Sequence, residues 1–208
     1  STTDLDADTN VDLAIAHQSG VDIALGNGDG TFQRTQTFDA GFGPTAITSS
    51  DPNGDNIRDL VVSNEFGDSI SILTGTGDGT FEPQQIISAG DGPRSVTAAD
   101  LNGDGMPDLA VSNTGQDEIS VRINNGDDTF QPRQTFAVGN NPKSQATSDL
   151  NGDGTPDLAV SNSAGGNLTI LLNQCGNGAP CPEDIDGDNV VGVFRKRAVG
   201  VVPKISTR

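Results

Sequence analysis

The chain has no tryptophan and no tyrosine, and its 208 residues include one histidine and one methionine. Sugar sites usually stack pyranose rings on aromatic platforms. These absences therefore count against recognition by stacking and leave carbohydrate only a polar site on the loops. A single histidine, His17, gives acid–base chemistry little to work with, and it stands where later repeats carry Asn64, Asn113 and Asn162, as a surface substitution would. Basic side chains are also scarce. Eleven Lys and Arg face 29 Asp and Glu, a formal charge of −18, which argues against nucleic acid because affinity there comes from neutralising phosphates. No apolar run approaches membrane-spanning length, so no membrane insertion is expected, and no window carries a capped helical stripe. The chain opens without a basic-then-apolar leader. If the protein is secreted, its signal has been removed or lies upstream.

What the chain has is aspartate and glycine in a fixed pattern. Apolar residues make up 32%, and the 27 glycines bury no side chain, so the core is thin and needs another source of cohesion. Residues 189–208 hold five basic residues, Arg195, Lys196, Arg197, Lys204 and Arg208, and no acid. Residues 1–188 are then left with six basic against 29 acidic side chains, a net of −23. Carboxylates at that density repel one another unless divalent cations bind.

The run D-L-N-G-D-G-x-P-D-L-A-V-S-N occurs at Asp100–Asn113 and again at Asp149–Asn162, with looser copies from Asp51 and Asp4. The starts are separated by 47, 49 and 49 residues, which makes the chain a tandem array. Each of the first three copies ends in a landmark phenylalanine, Phe32, Phe81 or Phe130, with an apolar partner six residues later at Phe38, Ile87 or Phe136. An even separation predicts that both members share one face of a strand. Short alternating runs between tight Gly/Asn/Asp turns predict four strands per repeat. Pro44, Pro93 and Pro142 mark the crossing from one repeat to the next.

The fold class expected is therefore all-β, a β-propeller or an open propeller-like array of four-stranded antiparallel blades, in about four repeats of about 49 residues over 1–173. The first repeat is expected to begin at its loop without an inner strand. The fourth has lost its outer strand to a cysteine-containing segment, so the predicted strand count runs 3, 4, 4, 3. Residues 174–208 would form a linker, a degenerate acidic loop and a basic tail.

In the third copy, side-chain oxygens fall at loop positions one, three, five and nine (Asp100, Asn102, Asp104, Asp108), with the Met106 carbonyl at seven. The equivalent sets are Asp149, Asn151, Asp153, the Thr155 carbonyl and Asp157; Asp51, Asn53, Asp55, the Ile57 carbonyl and Asp59; and Asp4, Asp6, Asp8, the Asn10 carbonyl and Asp12. Alternate positions converge when the chain wraps tightly. Hard oxygen donors without Cys or His favour Ca²⁺. The sixth position needs a left-handed residue: Gly105 and Gly154 suit it, Asn56 tolerates it and Thr9 resists it, so the first site is expected to be weakest. A loop with a dissociation constant near 10⁻⁴ M gains about 1.4 kcal/mol in millimolar calcium, so four gain about 5–6 kcal/mol, comparable with a whole domain's stability.

Asp184, Asp186, Asp188 and the Val190 carbonyl sketch a possible weak fifth loop, but Gly192 stands where the ninth-position aspartate belongs. Cys175 and Cys181 sit six apart, which fits a local disulfide closing a Gly/Pro loop or a free or metal-binding pair.

Together the acidic loops and the G-D-G-T-F turns resemble the FG-GAP/VCBS repeat of integrin α-chain propellers and many secreted bacterial proteins. The resemblance covers about residues 4–173. It implies a β-propeller with calcium in the loop joining the first two strands of each blade, an extracellular or cell-surface setting, and roles in adhesion, ligand binding or assembly. The resulting expectation is a non-catalytic secreted calcium protein that self-associates or binds a protein partner, with residues 189–208 docking on a neighbouring subunit. The alternative is a slice of a longer adhesion or ligand- or carbohydrate-binding propeller.

Overall fold

The computed structural model describes residues 1–173 and 194–196. Four antiparallel four-stranded sheets follow one another along the chain. Blade 1 comprises β1 (Thr2–Thr3), β2 (Asp12–His17), β3 (Gly20–Ala24) and β4 (Gln36–Phe38). Blade 2 has β5 (Pro44–Ser50), β6 (Asp59–Asn64), β7 (Ser69–Leu73) and β8 (Gln85–Ser88). In blade 3 the strands are β9 (Pro93–Ala99), β10 (Asp108–Asn113), β11 (Glu118–Arg122) and β12 (Gln134–Ala137). Blade 4 has β13 (Pro142–Ser148), β14 (Asp157–Asn162), β15 (Asn167–Asn173) and β16 (Phe194–Lys196). The three prolines open β5, β9 and β13, where a missing N–H is tolerated.

Both ends differ from expectation. Two residues ahead of the first loop suffice for an inner strand, because Thr2 and Thr3 pair with Leu13 and Asp12, and Ser1 exchanges backbone hydrogen bonds with Ala14 at 2.8 and 3.0 Å. The outer strand of blade 4 comes from the distant Phe194–Lys196, which pairs with β15. Phe194 faces Asn173 as Phe32, Phe81 and Phe130 face Gly26, Gly75 and Asn124, so it takes the place of the landmark phenylalanine. That part of the basic segment is used within its own chain. Cys175, Cys181, Asp184, Asp186, Asp188 and Val190 lie outside the described residues, as do Arg197, Lys204 and Arg208 of the tail.

The blades join face to face. Leu5, Ala14, Val21 and Ile23 of blade 1 bury against Leu60, Val62 and Leu73 of blade 2. Val61 and Ile70 meet Val96, Leu109 and Val111 of blade 3, and Ala110, Ile119 and Val121 meet Leu158, Val160, Leu171 and Phe194 of blade 4. Strand alternation does this: successive residues of β6 and β10 face opposite neighbours, so both sides of the central blades are apolar. Three clusters serve four blades, so among the described residues the array is an open arc.

The landmark phenylalanine and its partner do not share a face. Phe81 packs toward blade 1 and Ile87 toward blade 3, while Phe130 faces blade 2 and Phe136 blade 4. Each landmark makes only an isolated bridge before the outer strand begins, so alternation does not carry across the intervening residues. Phenylalanine instead meets phenylalanine across blades, Phe38 with Phe81 at 5.1 Å and Phe136 with Phe194 at 5.4 Å, both edge to face.

Candidate metal centre

Each acidic loop joins the inner strand of its blade to the second strand, so all four lie at the same end of the array. In the third loop Asp100 accepts hydrogen bonds from the amides of Gly103 (2.7 Å), Asp104 (3.1 Å) and Gly105 (2.9 Å). Asn102 Oδ1 accepts from Asp104 N at 2.9 Å and Asp104 Oδ1 from Met106 N at 2.8 Å. The fourth loop repeats the frame with Asp149, Asn151 and Asp153, and the second with Asp51, Asn53 and Asp55. This wrapping requires left-handed backbone at position four as well as six. Gly54, Gly103 and Gly152 supply the former at φ 72–80°, a need the sequence reading overlooked.

The first loop pays for the same path in strain. Ala7 at position four and Thr9 at position six are held at φ 61° and 72°, an outlying conformation for a β-branched residue. Asp4 receives the Thr9 amide at 2.9 Å on one oxygen, while its other oxygen is buried without a protein partner. Asp4, Asp6 and Asp8 bring one carboxylate oxygen each to within 4.8 Å of one another. Burial, with the neighbouring charges of Asp8 and Asp12, raises the Asp6 carboxyl above its ordinary value. A buried free oxygen and three converging carboxylates fit a divalent oxygen-seeking cation.

The ninth position plays a different part. Asp12, Asp59, Asp108 and Asp157 are fully buried. One oxygen of each accepts an amide at or just past the end of the third strand, from Gly26 (2.8 Å), Gly75 (2.7 Å), Asn124 (2.8 Å) or Asn173 (2.8 Å). The other accepts the position-two amide of its own loop, from Leu5 (2.6 Å), Leu101 (2.9 Å) or Leu150 (3.0 Å). In the second loop position two is Pro52, which has no N–H, and Asp59 Oδ2 is left buried and unpartnered. Burial, then the nearby Asp128, Asp55 and Asp51 charges, pushes its carboxyl up to about 7. Asp108, which has both amides, is raised to about 6, chiefly by burial. A divalent cation beside these carboxylates would offset both the burial and the mutual repulsion.

Sequence reasoning also missed how a loop reaches the next blade. Asn124 Nδ2 donates to Pro52 O at 2.7 Å and Asn173 Nδ2 to Leu101 O at 2.7 Å, while Gly79 N donates to Leu5 O at 3.2 Å. Asp128, at the position held by Gly30 and Gly79, adopts φ 62° and lies 3.4 Å from Asn53 Nδ2, adding a carboxylate from blade 3 to the second loop. The departures from the G-D-G-T-F frame were the only signals of these contacts. His17 Nε2 lies 3.1 Å from Asp22 Oδ1. The asparagines at its position instead fasten the opposite end of their blades, Asn113 Nδ2 to Ser120 Oγ at 2.9 Å and Asn162 Nδ2 to Thr169 Oγ1 at 2.8 Å.

Residues 4–62, 51–111 and 100–160 each match the FG-GAP-like repeat, and residues 144–180 match the FG-GAP repeat. No curated protein sequence matches the chain. Among solved structures it is similar to an Agrocybe aegerita lectin described as recognising non-reducing terminal N-acetylglucosamine, at 21% identity and a TM-score of 0.56, over 87% of this chain and 50% of the lectin. It is also similar to BBS1N in complex with ARL6DN, at 16% identity and a TM-score of 0.57, over 82% of this chain and 48% of that one. The chain thus spans about half the length of the structures it matches.

Proposed function

Given a chain that belongs to the FG-GAP repeat family, we propose that it is a non-catalytic, extracellular calcium-binding β-propeller protein that works by self-association. Calcium would be held by positions one, three, five, seven and nine of each loop: Asp4, Asp6, Asp8, Asn10 and Asp12; Asp51, Asn53, Asp55, Ile57 and Asp59; Asp100, Asn102, Asp104, Met106 and Asp108; Asp149, Asn151, Asp153, Thr155 and Asp157. Its chemistry there is charge neutralisation that locks the loop, with no open position needed for catalysis. Among the described residues no helix is long and apolar enough to cross a membrane.

The observation that carries the assembly reading is the open arc. Ala14 and Ile23 face blade 2, so Leu13 and the exposed Ile15 face away from it. Leu158 and Val160 face blade 3, so Ala159, Ile170 and the exposed Leu168 face outward at the other end. Among the described residues these two apolar sheet faces have no partner, and on a protein of such high charge they mark interaction surfaces. Light scattering of the whole protein in millimolar calcium and in chelator tests this reading. Mass above 21.3 kDa that collapses on chelation supports it, and a calcium-independent monomer refutes it.

One observation favours a second reading, ligand binding at the end opposite the loops. Phe42 and Phe66 are both exposed, with ring centroids 5.6 Å apart. Asp91 with Gly115 and Asn140 with Ala164 make the same backbone pairing elsewhere without aromatic rings, so the fold does not require this pair. Such a platform could take a sugar face or an apolar side chain. Phe42→Ala with Phe66→Ala, scored on a glycan array, tests it.

A further inference from the structure

We propose that the two ends of the arc fit each other: the fourth loop of one copy docks into the groove of blade 1 on a second copy, reproducing the contact between blades 1 and 2. This rests on the self-association reading and assigns its interface.

At the internal contact, blade 1 presents Leu5 and its carbonyl from the acidic loop, and Leu25 from just after β3, to Gly79 in the groove formed by residues 75–81 of blade 2. Leu5 O accepts the Gly79 amide at 3.2 Å. Leu25 lies so close to Gly79 that a β-carbon there would meet its side chain at 2.8 Å, so a larger residue would have to displace Leu25. Phe81 closes the groove edge to face on Phe38 of blade 1.

Blade 4 carries the same knob. Leu150 stands at the position of Leu5 and Leu172 at that of Leu25, a pairing blades 2 and 3 do not have, with Pro52 and Thr74, or Leu101 and Ile123. Leu5 and Leu101 are 3% and 1% exposed beneath the following blade, whereas Leu150 is 49% exposed. Blade 1 carries the same groove: Gly26, Gly28, Gly30 and Phe32 repeat Gly75, Gly77, Gly79 and Phe81. Among the described residues nothing lies within 4 Å of a β-carbon built on Gly30, so the volume Leu25 fills against Gly79 is open here. Phe32 and Val11, at 43% and 60% exposed, line an open groove of about 360 Å³ with Gly26, Gly28 and Gly30.

Knob and groove are on opposite ends of one chain, so the contact is heterologous and closes only as a ring. Propeller rings close with up to about eight blades, and two copies of this arc supply that number. The product is a two-copy ring with two identical seams.

Leu150→Lys leaves the loop backbone intact and disables the knob; Phe32→Lys, at the exposed counterpart of Phe81, disables the groove. Sedimentation in millimolar calcium should give twice 21.3 kDa for the wild type and a dissociation constant raised at least about tenfold for either variant alone. An equimolar mixture, with one intact knob and one intact groove, should recover two-copy species. That recovery requires both variants to be folded. Variants that associate like the wild type overturn this interface but leave self-association standing, and a monomeric wild type overturns both. Growth into open fibres overturns ring closure.

Discussion

The first and third loops follow the same path at different cost. Gly103 and Gly105 enter left-handed backbone freely, whereas Ala7 and Thr9 are forced into it. In the third loop three amides donate to Asp100, two to one oxygen and one to the other. In the first, Asp4 keeps a buried oxygen free and shares its space with Asp6 and Asp8. The third loop is thus close to self-sufficient as a turn, and the first is a strained turn with converging charge that depends most on a cation. Repetition of a motif conserves the path, while the residues off the ligand positions decide how far each copy leans on calcium.

The comparison breaks most sharply at position nine. Asp108→Ala strands the buried amides of Leu101 and Asn124 and should cost about 3 kcal/mol by denaturant unfolding in calcium. The same change at Asp12 strands the buried amides of Leu5 and Gly26 and should cost about as much. Exchanging the sixth-position residues comes next. Gly105→Thr should destabilise the third loop by about 1–2 kcal/mol and Thr9→Gly should stabilise the first by about 1 kcal/mol, with calorimetric calcium affinities moving in the same directions. Asn124→Ala removes the donor to Pro52 O and should cost about 1 kcal/mol, seen as a lower melting temperature. Pro52→Leu restores an amide to Asp59 Oδ2 and should add a little under about 1 kcal/mol, read from the same melts.

The sheet order of the blades was legible because the loop, the G-D-G-T-F turn and the X-Pro crossing recur at fixed spacing. The candidate ligand positions stand out in the sequence because every second residue of the loop offers an oxygen. The ends were not. Thr2–Thr3 is too short to announce a strand, and Phe194 reaches its place from beyond an insertion that hides the period. The facing of Phe130 and Phe136 was misread because parity holds only along continuous extended chain, which the isolated bridge interrupts. The carbonyl clamps of Asn124 and Asn173 join residues 72 apart, and nothing local in the sequence encodes such a contact.

Unfolding of the whole chain, with the melting transition followed in millimolar calcium and again in chelator, reads the fastening of the blades most directly. If all four loops hold calcium, the difference amounts to about 5–6 kcal/mol, and the chain binds four ions by equilibrium dialysis. Superimposable transitions with no bound calcium would contradict it.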